Sequence, residues 1–138
     1  TNEMHARITL ERLPMLHSLS QCLLAARAHD VAIVDGIHLD LKDMKSFEYA
    51  CRMARDLGFD GKSLIHPDQI AYANDAFTPR PESVARARRI IEALTEAKRA
   101  GSGVAVIDGR LVEAMHREAA QRTLMIHDMI QQCWSGEA

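Results

Sequence analysis

The sequence predicts an α/β protein: a parallel sheet with crossover helices, continued from residue 78 by a mainly helical extension. Three observations predict it. Helical periods and short β-branched apolar runs alternate through residues 14–77. The two apolar runs are separated by a stretch with helical periodicity, which is the connection a parallel pair requires. After Phe77, Thr78-Pro79-Arg80-Pro81 punctuates the chain, and longer amphipathic helical patterns follow.

The elements follow in order. Residues 1–13 show no period and read as irregular. From Pro14 to Ala28, Leu16, Leu19, Leu23 and Leu24 recur at three- and four-residue steps, which predicts a helix with these leucines inward. Val31-Ala32-Ile33-Val34, ending at Asp35-Gly36, reads as a strand buried on both faces. Asp43 is placed to cap a helix over about 44–57, with Phe47, Cys51 and Ala54 inward and Gly58 as its stop. Ser63-Leu64-Ile65 reads as a second strand, closed by His66-Pro67, with a short helix over about 67–76. The two strands should be adjacent and parallel. Two strands alone leave open edges, so further strands are expected from sequence outside this chain or from other chains.

In the extension, a helix over about 81–100 should turn Val84, Ala87, Ile91 and Leu94 inward. Gly101-Ser102-Gly103 ends it. Val104–Ile107 is a small strand, Asp108-Gly109 a turn or hairpin tip, and a last helix covers about 111–133. The expected division is residues 1–77 and 78–138. The first residue is Thr1 rather than Met, which fits an excised piece.

Composition excludes several classes. The net charge is −2, without the basic surplus of a nucleic-acid binder. No apolar run approaches the roughly 20 residues of a membrane helix, and the polar Thr1-Asn2-Glu3 does not open a signal peptide. Cys22, Cys51 and Cys133 are odd in number and widely spaced, which is neither a disulfide framework nor a zinc pattern. They read as buried small apolar residues in a reducing, cytoplasmic setting.

Three motifs carry candidate chemistry. Asp35-Gly36 follows a strand, with Asp40 and Asp43 just beyond, where α/β proteins gather functional groups. Asp-Gly serves equally as a plain turn. In Gly61-Lys62-Ser63-Leu64-Ile65-His66-Pro67-Asp68-Gln69, Pro67 forces His66 extended beside a helix N-terminus, which suits an anionic ligand or a structural His alike. Ile107-Asp108-Gly109-Arg110-Leu111-Val112-Glu113 sets two carboxylates and a guanidinium at the mouth of a helix, where Glu113 serves either capping or catalysis. Arg86, Arg88 and Arg89 read as a solvated face. His116 and His127, about three turns apart, are too distant to share a metal.

Taken together, these motifs resemble the HpcH/HpaI aldolase–citrate lyase β-subunit family, in its CoA-ester branch. Leu23-Leu24-Ala25-Ala26-Arg27-Ala28 is similar to the helix before the seventh strand of the family's TIM barrel, and Ile33-Val34-Asp35-Gly36 to that strand and its loop. Leu57-Gly58-Phe59-Asp60-Gly61-Lys62, then Ile65-His66-Pro67 and Gln69-Ile70, resembles the eighth. Ala76-Phe77-Thr78-Pro79, Ala87-Arg88, Glu96-Ala97 and Asp108-Gly109-Arg110 resemble the family's C-terminal extension.

The resemblance implies the last two βα units of a TIM barrel plus a lid or oligomerisation segment. It implies a homotrimer or hexamer and Mg²⁺-dependent cleavage or formation of a C–C bond in 3-hydroxyacyl-CoA esters. The metal ligands are expected upstream of this chain, which alone should be inactive. The implied CoA contacts are Ile65, His66 and Pro67, with Asp35 beside them. Glu113 stands where the family usually has an Asp that acts as acid/base in a neighbouring subunit. Two alternatives remain: a thioesterase on the same scaffold, and a non-catalytic CoA-binding or oligomerisation module.

Overall fold

The computed structural model describes residues 5–7 and 9–135, which fall into two units, Thr1–Phe77 and Thr78–Ala138. The expectation for residues 1–13 lies partly outside the described residues.

In the first unit, a 3-10 turn at Leu13–Met15, with Pro14 in its first positions, leads into helix α1, Leu16–Ala28. Leu23 is buried, and Leu19 packs partly beside it. Leu24, expected inward, is 64% exposed. Leu23 makes the contact with Ala54 and Phe59, and Leu24, about 100° further round the helix, lies outside that contact. Strand β1 is Val34–Asp35. Helix α2, Met44–Leu57, starts where the Asp43 carboxylate accepts the Ser46 N–H. It stops at Gly58, whose φ of 106° is left-handed and suits a residue without Cβ. Strand β2, Gly61–Lys62, and helix α3, Gln69–Phe77, complete the unit.

β1 and β2 pair in parallel, with Val34 opposite Gly61 and Asp35 opposite Lys62, and α2 is the crossover. Both strands are shorter than the sequence suggested, and the second is displaced toward its N-terminus. The ladder bond from Ser63 N–H to Asp35 C=O is its last. The Ile65 N–H instead donates to the Gln69 side chain, so Leu64 and Ile65 leave the sheet. The expected burial on both faces is also not met: Val31 and Val34 are more than half exposed, because the two strands are not sandwiched between layers. The core lies to one side, where Phe47 and Cys51 of α2 pack on Ala73 and Ala76 of α3, and Ala54 packs with Leu23 and Phe59. Full burial of a side chain like Phe47 contributes about 1.5–3 kcal/mol.

The second unit holds helix α4, Pro81–Arg99, strands β3, Ala105–Ile107, and β4, Arg110–Val112, and helix α5, Ala114–Ser135. Pro81 opens α4, where its missing N–H is not needed. β3 and β4 form a two-residue hairpin with Ile107 opposite Arg110. Asp108 and Gly109 both have positive φ, 50° and 73°, as a twisted two-residue hairpin requires. Residues 111–112 are therefore strand, not the start of the last helix as expected. Their alternation buries Val112 and exposes Leu111. Val112 joins Ala87, Ile90, Leu94 and Ala120 in the core. Ile90 takes the buried position expected of Ile91, which packs at the margin.

Of the three free thiols, only Cys51 is buried; Cys22 and Cys133 are exposed, against expectation. Burial pushes the Cys51 thiol above its usual range, so it remains an apolar filler. Among the described residues no helix is long and apolar enough to cross a membrane.

Candidate functional site

Asp35 is the most constrained of the expected site residues. Its side chain is 2% exposed, with Arg12 Nη1 2.7 Å from Oδ1 and Lys62 Nζ 2.7 Å from Oδ2. Lys62 also donates to the Gly36 carbonyl at 2.8 Å. Burial alone would raise the Asp35 pKa, but the hydrogen bonds from Arg12 and Lys62 outweigh it and hold the carboxyl below its ordinary range. Both oxygens are thus engaged. Asp35 ties β1, β2 and the Arg12 segment together; direct ligand contact would require breaking one of these pairs.

The loop after β1 is organised by its other acids. The Asp40 carboxylate accepts the Lys42 and Asp43 N–H groups, and Asp43 caps α2. These two are turn and cap residues. The loop after β2 is fixed by Gln69, which is fully buried. Its amide oxygen accepts the Ile65 N–H at 2.9 Å, and its amide nitrogen donates to the His38 carbonyl at 3.2 Å. One side chain therefore clamps both loops.

His66 projects from this clamped loop with its side chain 43% exposed. Its Nδ1 lies 3.2 Å from the Asp68 N–H and 3.6 Å from the Asp68 carboxylate. A nitrogen that accepts from an N–H carries no proton, so the two contacts exclude each other. The shorter one is the hydrogen bond. Ile65 is 45% exposed, and Pro67 is exposed beside it. The three residues form one accessible edge, farther past the strand end than expected.

In the second unit, Glu113 directly precedes α5. Its carbonyl accepts from the His116 and Arg117 N–H groups, and its own N–H donates to His116 Nδ1 at 3.0 Å. The backbone and His116 thus perform the capping, and the exposed Glu113 carboxylate is not part of it. Asp108 is held by Arg89 Nη2 at 2.7 Å, and this bond lowers its pKa. That pairing also gives one member of the basic face a partner.

Among the described residues no cluster of three or more His, Cys, Asp or Glu is placed to hold a metal ion. The described residues do not fit the magnesium that the resemblance implies.

Sequence reasoning missed Arg12 and left Lys62 without a role. Arg12 lies in a stretch without period and gives no local signal. Lys62 had one: it follows Gly61 just as Asp35 follows Val34, so any parallel register joining those pairs sets opposite charges side by side.

Residues 2–67 match the family model described as HpcH/HpaI aldolase/citrate lyase. The chain belongs to this family. It is 48% identical to a (3S)-malyl-CoA thioesterase of Cereibacter sphaeroides over 88% of its length, which covers 43% of that protein. It is 40% identical to an L-malyl-CoA/beta-methylmalyl-CoA lyase of the same species, over 77% of this chain and 33% of that one. It also resembles the crystal structure of CitE from Mycobacterium tuberculosis in complex with magnesium, acetoacetate and coenzyme A. That match has a TM-score of 0.64 and 32% identity, over 81% of this chain and 40% of that one. The chain thus spans about two fifths or less of the length of these HpcH/HpaI relatives.

Proposed function

We propose that this chain serves an enzyme of 3-hydroxyacyl-CoA esters, cleaving or forming a C–C bond, within a homotrimer or hexamer of TIM barrels. The observation that carries the reading is the Ile65-His66-Pro67 edge, pinned from behind by Gln69 and leaving the His66 side chain 43% exposed. An exposed ring on a pinned loop beyond β2 suits the polar groups of CoA. Its likeness to CoA-ester enzymes supports the choice of ligand. Asp35 acts there as a positioning residue. Magnesium belongs to this reading only through ligands other than the described residues.

Cleaving the bond β to a thioester leaves an enolate, whose α-carbon must then take a proton. Glu113 is the proposed donor, acting in a neighbouring copy. Its carboxylate is exposed and spared from capping, as a group that reaches across a subunit boundary must be.

A second reading is hydrolysis of the thioester, favoured by the higher identity to the malyl-CoA thioesterase than to the lyase. There the carboxylate activates water, and the CoA thiol leaves. Product analysis with malyl-CoA and the full-length protein separates the two. Acetyl-CoA and glyoxylate signify lyase action; free CoA thiol and malate signify hydrolysis. Unchanged malyl-CoA would sink both, and CoA binding without turnover would leave the non-catalytic module.

A further inference from the structure

Glu113 stands at the N-cap of α5. Its carbonyl accepts the N–H groups of His116 and Arg117, and Ala114 is the first helical residue. At that position a short polar side chain, from Ser, Thr, Asp or Asn, ordinarily folds back onto the first helical N–H groups. The exposed Glu113 carboxylate has no hydrogen bond or ion pair among the described residues. Only the reciprocal half of a capping box is present, in which the side chain at the third helical position reaches back to the N-cap N–H. His116 Nδ1 is that acceptor, 3.0 Å from the Glu113 nitrogen.

The backbone of Glu113 is thereby held on both sides. Before it, Val112 is 3% exposed in the core and pairs with Ala105 across the hairpin. After it, the half-buried His116 lines a groove together with Arg86, Ala87 and Ile90 of α4. Packing against α4 fixes the ring, and the ring fixes the Glu113 N–H. Without the acceptor, that N–H joins the unpaired donors of a helix start, and the peptide before it is free to turn toward water. Turning that peptide re-aims the carboxylate, and a misplacement of about 1 Å is enough to slow a reaction.

We propose that His116 is a positioning residue for Glu113: by taking over the N-cap hydrogen bond, it fixes the Glu113 backbone and leaves the carboxylate free to reach a neighbouring copy. The inference rests on the reading of Glu113 as the acid/base of the proposed reaction. It accounts for a residue outside the usual N-cap set at an N-cap. The task of the cap has moved to His116, and the side chain of Glu113 is released for chemistry.

His116→Leu and His116→Gln separate the hydrogen bond from the packing, both in the full-length protein. Either side chain fills the groove, but only Gln carries an oxygen that can accept the Glu113 N–H. Amide exchange at Glu113, read by mass spectrometry at single-residue resolution, should accelerate roughly 2–10-fold in His116→Leu, the range that one hydrogen bond contributes. Val112 should change little. With malyl-CoA, kcat should fall in the same roughly 2–10-fold range at unchanged KM, because the correctly aimed carboxylate is populated less often. His116→Gln should restore both exchange and kcat. Glu113→Gln is run beside them. If it is impaired, the proposal is overturned by any of three results: normal exchange or kcat in His116→Leu, equal acceleration at Glu113 and Val112, or no rescue by His116→Gln. Near-normal kcat in Glu113→Gln overturns the acid/base reading itself, and this inference with it.

Discussion

Asp35 and Lys62 stand opposite each other in the parallel register of β1 and β2, and their side chains meet at 2.7 Å with 2% of each exposed. Arg12 closes the group from the other side of the same carboxylate. The Asp35→Asn substitution would leave two cations facing a neutral amide out of water. Breaking a buried pair by removing one partner costs about 3–5 kcal/mol. Replacing both partners with apolar residues, Asp35→Leu with Lys62→Met, should cost less than the single change. Urea unfolding of the three proteins checks the order; an Asp35→Asn chain as stable as its parent would show the pair to be energetically idle.

Acid should release the same group. The Asp35 pKa is lower folded than unfolded, because its partners favour the charged form. Its contribution is therefore complete above the ordinary carboxylate range, near pH 4. It is lost as pH falls below that value toward the folded pKa. The parent should lose stability across this window more steeply than Asp35→Asn, which has no carboxyl there to protonate. Parallel slopes in pH-dependent unfolding would remove Asp35 from the account.

What the sequence made legible was what local chemistry decides. Asp43, the Phe47/Cys51/Ala54 face and Gly58 mark α2 because a cap, a 3.6-residue period and a left-handed stop are all local signals. Asp108-Gly109 marked the hairpin tip for the same reason. The end of β2 was misplaced because Gln69, four residues beyond Ile65, takes a ladder donor, and no pattern of apolar residues announces that. At the site, the exposed His66 edge and Glu113 were legible as motifs. Arg12 was not, because its meaning depends on a contact 23 residues away.

Gln69 should prove to be the pin between the two loops. Gln69→Leu keeps the volume but leaves the part-buried Ile65 N–H and His38 C=O without their partner, at up to about 1–3 kcal/mol for each and less where water reaches them. Amide exchange at Ile65 should accelerate about tenfold, since roughly 1.4 kcal/mol corresponds to a factor of ten. Phe47, in the core, should change little by comparison. Equal acceleration at both positions would mean that the whole unit was weakened and the loop not specifically freed.

His66→Ala tests the proposed CoA edge in the full-length protein. The ring makes one local bond, to the Asp68 N–H, and otherwise faces outward. Loss of one hydrogen bond to a ligand is worth about 0.5–1.5 kcal/mol, so KM should rise roughly 2–10-fold with kcat little changed. Normal KM with a collapsed kcat would transfer His66 from binding to chemistry.

Glu113 sets the sharpest contrast. Its backbone and His116 already cap α5, so the carboxylate adds at most a charge near the helix's positive end, about 0.3–1 kcal/mol of stability. As the acid/base of the proposed reaction, its loss should cost roughly 10²–10⁴-fold in rate. Glu113→Gln preserves shape and removes only the titrating group, so these two magnitudes do not overlap. The proposed role also crosses a subunit boundary. Mixed oligomers should then recover activity when Glu113→Gln protomers are combined with protomers inactivated elsewhere but carrying Glu113. A full-length Glu113→Gln enzyme with near-normal kcat would reduce the residue to a helix-end charge. Asp108 would be the next candidate, but Arg89 holds it at 2.7 Å and keeps its pKa low, so it is the poorer proton donor.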